Sequence, residues 1–159
     1  MKKAPIVFLQ TVIVLIGIVV LVILIRFPLM EGRATDLDLF SIYADPFIWY
    51  GYATSIAFFI GLYKAYKLLV YIGQNKVFSP DAVSALKGIK YCAIALSICI
   101  IMAALYIKMT HPKDDDPAGF LAMCIVASFA SIVVATAAAI FEKLMQNAVD
   151  MKSENDLTI

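Results

Sequence analysis

Four stretches of the chain carry no charged residue: 4–25, 46–63, 91–107 and 117–141, with 22, 18, 17 and 25 residues. A helix needs roughly 17–25 apolar residues to cross about 30 Å of hydrocarbon. Hydrocarbon offers no hydrogen bonds, so a spanning segment must satisfy its own backbone, and helices do so one segment at a time. The expected fold is therefore all-α, an integral membrane four-helix bundle in one domain, with spans at about 4–27, 46–71, 91–109 and 117–143. The second run lengthens if Lys64 and Lys67 lay their stems along apolar surface and reach the headgroups. Composition supports the same conclusion: 63% of the residues are hydrophobic, against roughly 45–50% in soluble domains. One soluble core of this size does not hide that much apolar surface.

The first run resembles a secretory leader only superficially. Lys2 and Lys3 would serve as its basic start. The apolar stretch, however, exceeds the roughly 7–15 residues of such leaders, and Arg26-Phe27-Pro28-Leu29 is no small-residue cleavage site. A retained helix is expected.

Orientation follows from the basic residues. Lys2, Lys3, Lys64, Lys67, Lys76, Lys87, Lys90, Lys143 and Lys152 fall on one side, and Arg26, Arg33, Lys108 and Lys113 on the other. The lysine-rich side is expected to be cytoplasmic, which puts both termini inside. The outer side also carries seven acidic residues, which leaves it at net −3. Phe47, Trp49, Tyr50 and Tyr52 mark the outer interface of the second span, and Tyr63, Tyr66 and Tyr71 its inner one.

Helices associate in lipid through close backbone approach, so small residues mark expected contacts. The second span has Ala53, Ala57, Gly61 and Ala65 at intervals of four, and the fourth has Ala127, Ser131, Ala135 and Ala139. These helix-packing residues suit contacts within the bundle or a homo-oligomer interface. The first span, nearly all Val, Ile and Leu, is expected to face lipid.

Enzymatic chemistry is not expected. The one histidine, His111, sits in an outer turn beside Asp114, Asp115 and Asp116, whose side chains point in different directions. No catalytic residues, cofactor site or metal site is read from the chain, since paired acid–base groups, phosphate loops and zinc spacings are missing. Cys92, Cys99 and Cys124 lie in apolar runs without CxxC spacing and read as buried free thiols. Glu142 beside Lys143 reads as an interfacial charge pair. A net charge of +1 gives no reason to expect direct nucleic-acid binding.

The inner face holds the local signals. Ser79 suits a helix N-cap, Pro80 the first helical position, and Asp81 the positive end of the helix dipole. Phe78 and Val83 are spaced for a hydrophobic staple. An amphipathic helix is expected at about 80–90, running into the third span. The fourth helix is expected to continue past the membrane as a cytoplasmic extension over about 144–159, ending in the apolar Leu157, Thr158 and Ile159.

These same segments carry a resemblance. Phe78-Ser79-Pro80-Asp81 followed by Leu86 and Ile89, and the closing Glu154-Asn155-Asp156-Leu157-Thr158-Ile159, resemble the domain-of-unknown-function 2975 family of small bacterial four-span membrane proteins. The likeness covers most of the chain. It implies a bacterial inner-membrane location. It also implies a regulatory pairing, because members are often encoded beside a small helix-turn-helix regulator. It assigns no catalytic or binding residue. The resulting expectation is a non-enzymatic membrane component of a regulatory or stress-response module. Phe78, Ser79, Pro80, Asp81, Leu86, Ile89, Leu157, Thr158 and Ile159 would then dock a cytoplasmic partner. A small transporter or channel subunit and an immunity or envelope-protection protein are the alternatives.

Overall fold

The computed structural model describes residues 3–29, 42–110 and 117–156. Four helices account for most of them: α1 (Lys3–Arg26), α2 (Pro46–Gly73), α3 (Pro80–Thr110) and α4 (Ala118–Asp156). All four are long and apolar enough to cross a membrane, and no strand occurs among the described residues. At 1.5 Å per residue they run for about 36, 42, 46 and 58 Å. Thus α3 and α4 are much longer than a bilayer requires.

Packing follows chain order. The substantial contacts are α1 with α2, α2 with α3, and α3 with α4, the last being the most extensive. Neighbours are antiparallel. Ile6 at the start of α1 approaches Gly73 at the end of α2, and Lys90 near the start of α3 meets Glu142 in the second half of α4. The start of α1, the α2–α3 turn and the end of α4 therefore share one end of the molecule, the end that carries most of the lysines.

The α3–α4 seam explains the extent of that contact. On α4, Cys124, Ser128, Ala135 and Ala138 are buried, with Ser131 and Glu142 half-buried between and beyond them. Their spacing alternates four and three, the seam of a left-handed helix pair. Ala93 and Ser97 are the buried counterparts on α3. The seam tolerates its hydroxyls because each is satisfied locally: Ser128 donates to the Cys124 carbonyl, and Ser97 to that of Ile94 at 2.8 Å.

The interval-of-four stripe expected on α4 does not coincide with this seam. Ala127 is exposed, Ser131 and Ala139 are half-buried, and only Ala135 is buried. Four residues turn a helix by about 400°, so such a stripe drifts by roughly 40° per step and crosses from one face to the next. The corresponding stripe on α2 behaves likewise. Ala53 is exposed and Ala57 half-buried, whereas Gly61 and Ala65 line a cleft against α3. A Cβ at Gly61 would lie 3.3 Å from that of Cys92, so α2 and α3 approach closely here in mid-span.

Helix α1 is the least enclosed element, with Val7, Phe8, Leu15, Ile18 and Val22 about half exposed or more. It gives way after Arg26 to a short 3-10 turn, Phe27–Leu29, in which Pro28 is fully buried. Proline has no N–H to give the carbonyl four residues back, which here belongs to Leu24. The Tyr52 hydroxyl of α2 donates to that carbonyl instead, at 3.2 Å. At the same end, Phe47 stacks with Tyr106 of α3 and meets Phe120 of α4 edge-on, at 6.3 and 5.9 Å between centroids.

Replacing Gly61 with Leu should overpack the α2–α3 contact and cost about 1–3 kcal/mol. The unfolding midpoint in detergent should fall. Gly51→Leu should leave it nearly unchanged, since nothing lies within 4 Å of a Cβ there.

Candidate functional site

The lysine-rich end is built from a tight turn between two well-capped helices. α2 closes with Asn75 in the left-handed conformation, φ 58°. The Asn75 N–H bonds the Ile72 carbonyl at 3.1 Å, and the Lys76 N–H bonds that of Tyr71 at 2.9 Å. This pair of bonds is the Schellman arrangement, with Asn in place of the usual Gly. Four residues later α3 begins at Pro80. The Ser79 Oγ accepts from the Ala82 N–H at 3.3 Å and donates to the Lys76 carbonyl at 2.8 Å, so one hydroxyl ties the cap to the turn.

The first turns of α3 are the most buried part of the molecule: Ala82, Val83, Ala85 and Leu86 are each at most 7% exposed. This divides the residues expected to dock a partner. Phe78 is 58% exposed, Pro80 and Asp81 are exposed, and Ser79 and Ile89 are half-buried. Leu86 is turned into the fold and is not available to a partner. Its amphipathic spacing marked an apolar face correctly, but that face is used internally, toward α2 and α4. The staple expected between Phe78 and Val83 leaves Phe78 more than half open. Its ring instead borders an apolar cavity of about 450 Å³, with Leu68 and Ile72 of α2, Leu86 of α3, and Phe141 and Leu144 of α4.

Charge pairing differs from the local reading. Glu142 bonds Lys90 across the seam at 2.6 Å, with both side chains about one-fifth exposed. Adjacent residues on a helix point about 100° apart, so Lys143 projects elsewhere and is exposed. The Lys90 ammonium also lies 4.8 Å over the Tyr91 ring. Nothing in the sequence pairs Lys90 with Glu142 until α3 and α4 are set side by side. Lys64 runs across Gly88, whose missing side chain makes room for it: a Cβ there would sit 3.1 Å from the Lys64 Cγ. Lys67 rests 5.1 Å over Tyr63. At this end the Lys64 stem thus lies on backbone, while the Lys67 and Lys90 ammonium groups rest over tyrosine rings.

Heights along the helices complete the picture. Pro80 lies about 15 Å beyond Lys90, and Asp156 about 21 Å beyond Glu142, at 1.5 Å per residue. The exposed tip Phe78, Pro80 and Asp81 and the end of α4 therefore share one outer layer. Leu157, Thr158 and Ile159 lie outside the described residues, as do His111 and Asp114 to Asp116. The three thiols are free; Cys92 and Cys99 are half-buried and Cys124 is buried.

Removing one partner of the Lys90–Glu142 pair should hurt more than removing both. Glu142→Leu and Lys90→Met should each lower the unfolding midpoint in detergent, and the double variant should lie closer to wild type than either.

The family described as a protein of unknown function, DUF2975, matches residues 28–159, which takes in α2, α3 and α4 and leaves out α1. The chain is 40% identical over 161 residues to the uncharacterized membrane protein YoaS of Bacillus subtilis (strain 168), with both chains covered completely. No solved structure matches it.

Proposed function

The chain belongs to the DUF2975 family, and on that footing we propose that it is a multi-pass bacterial inner-membrane protein that holds a cytoplasmic regulatory partner. It acts by binding and not by catalysis, as the membrane component of a regulatory or stress-response module. The lysine-rich end faces the cytoplasm, in keeping with the positive-inside bias. The partner is a small protein such as a helix-turn-helix regulator, and the nucleic acid is left to that partner.

One observation carries this reading. Phe78, Pro80 and Asp81 stand exposed on the tip of a stem that is otherwise buried and capped. A large apolar ring held open on a rigid turn, beyond the membrane-spanning run, is surface that a protein partner covers at a gain. The tail residues Leu157, Thr158 and Ile159 follow an α4 that reaches the same layer. Binding is favoured over transport by the mid-span hydroxyls. Ser97, Ser131 and Thr136 donate to carbonyls of their own helices at 2.8, 2.9 and 2.8 Å, so they are not spare groups for a polar pathway.

A tagged chain purified from its native cells in mild detergent should retain a small DNA-binding protein. Phe78→Glu, and separately deletion of residues 157–159, should reduce that recovery at least about tenfold, a loss of roughly 1.4 kcal/mol or more, while membrane insertion is unchanged. Recovery that is indifferent to both changes would remove the tip and the tail from the mechanism. Gln74→Cys should react with a membrane-impermeant thiol reagent only after the cells are opened; labelling of intact cells would reverse the proposed orientation.

A further inference from the structure

α4 has three faces, and the third is only bordered by its neighbours: Ala130 and Val134 edge the cleft that Gly61 and Ala65 of α2 line, and Phe141 and Leu144 edge the cavity beside Leu68 and Ile72. The first is the seam against α3. The second bears Ile125, Phe129 and Ile132, at least 48% exposed, and faces lipid. It turns polar at Lys143, Gln146 and Asp150, where the helix leaves the bilayer; the Gln146 amide donates to Asp150 at 2.8 Å.

The third face does not turn polar. Within the span it consists of Met123, Ala127, Ala130, Val134 and Ala137, all exposed. Phe141 stands at the end of the span, and beyond it the face continues as Leu144, Ala148 and Met151. Phe141, Leu144 and Met151 are 58%, 59% and 60% exposed. The spacing alternates four and three without a break across these nine positions, a second heptad stripe set one residue round from the α3 seam. Side-chain size changes with the surroundings. Alanines predominate in lipid, where close approach favours association. Leu144 and Met151 follow in the aqueous zone, where burying apolar area is rewarded.

We propose that this stripe is the interface of a homodimer in which α4 packs in parallel against α4 of a second copy. Lipid covers the stripe as far as Ala137 but not Leu144 or Met151, which lie past the level where the adjacent face becomes charged. A soluble partner covers the outer part but not the alanines. A helix that covers the whole stripe must cross the bilayer alongside α4 and protrude by the same length, and the chain itself supplies one. Copies inserted in the same sense meet in parallel, and a two-fold axis along the membrane normal places equal heights together, small against small and large against large. No like charges oppose each other: the flanking positions of the extension are Met145, Asn147 and Lys152, and Lys143 and Asp150 lie on the far side. The exposed side chains of the stripe offer on the order of 700 Å² per copy, near the roughly 800 Å² per partner of a stable interface. The proposal does not rest on the regulatory reading, because it concerns the chain alone.

The test is disulfide crosslinking in native membranes, in a background with Cys92, Cys99 and Cys124 replaced by Ala. Leu144→Cys, Ala148→Cys and Met151→Cys should give dimer bands at least about fivefold stronger than Lys143→Cys, Gln146→Cys and Asp150→Cys. Equal yields around the helix, a maximum at the second set, or no dimer at any position would overturn the proposal. Purified wild-type chain should show a protein mass about twice 17.5 kDa. Ala130→Leu with Ala137→Leu should shift it to monomer, while Ile132→Leu on the lipid face should not. A dimer indifferent to the alanine pair would place the contact elsewhere. Because no other protein is present in this last measurement, its outcome is separate from whether a cytoplasmic partner binds.

Discussion

The seam between α3 and α4 is the contact on which the remaining architecture depends. Lipid gives helices no hydrophobic reason to associate, so a membrane protein is held by van der Waals contact, hydrogen bonds and a few charge pairs. Here small residues on α4, from Cys124 to Ala138, let the two axes approach, and the Lys90–Glu142 bond fixes their register near one end. Both helices then continue beyond the bilayer side by side. The first turns of α3 are buried where the ends of α2 and α4 meet them, Leu86 lying beside Leu68 and Ile72 of α2 and Phe141 and Leu144 of α4.

Helices α2 and α1 are added to this pair in order of decreasing closeness. α2 meets α3 through Gly61 against Cys92 and through the Tyr50 hydroxyl, which donates to the Cys99 carbonyl at 2.7 Å. α1 leans on α2, with the Tyr52 bond to Leu24 compensating for the proline that ends it. The family match begins at residue 28, after α1 has ended. The part shared across the family is thus also the part that is closely packed.

The lysine-rich end joins two properties that proteins usually keep apart. It contains the most buried residues of the chain and, a few positions away, a phenylalanine that is more than half open. The Ser79 cap and the Asn75 turn make this possible, since they hold the backbone without help from the Phe78 ring. A rigid display of one apolar side chain carries little ordering cost when it is covered. A dimer about a two-fold axis would show two such tips at equal height, which suits a partner that is itself two-fold.

Helix number, helix length and the start of α3 were legible in the residues because each is a local consequence. Charge-free runs must be helical in hydrocarbon, and Ser79-Pro80-Asp81 caps a helix wherever it stands. The stripes were only partly legible. Small residues at intervals of four on α2 and α4 identified the right helices, but their 40° drift per step hid the true seam, which alternates four and three. Leu86 marked an apolar face without revealing what covers it, and Glu142 suggested a charge pair with the wrong lysine. These questions concern neighbours far apart in the chain, such as Gly61 and Cys92 or Lys90 and Glu142, and no local pattern encodes a distance between helices. The sequence by itself determined that the chain carries four helices able to cross a membrane, because backbone hydrogen bonding in lipid leaves no other solution, and where α3 begins, because its cap is local. Only the tertiary structure decided which face of each helix meets a neighbour, that Lys90 pairs with Glu142, and that one stripe of α4 stays uncovered into water, because these follow from how whole helices are set side by side.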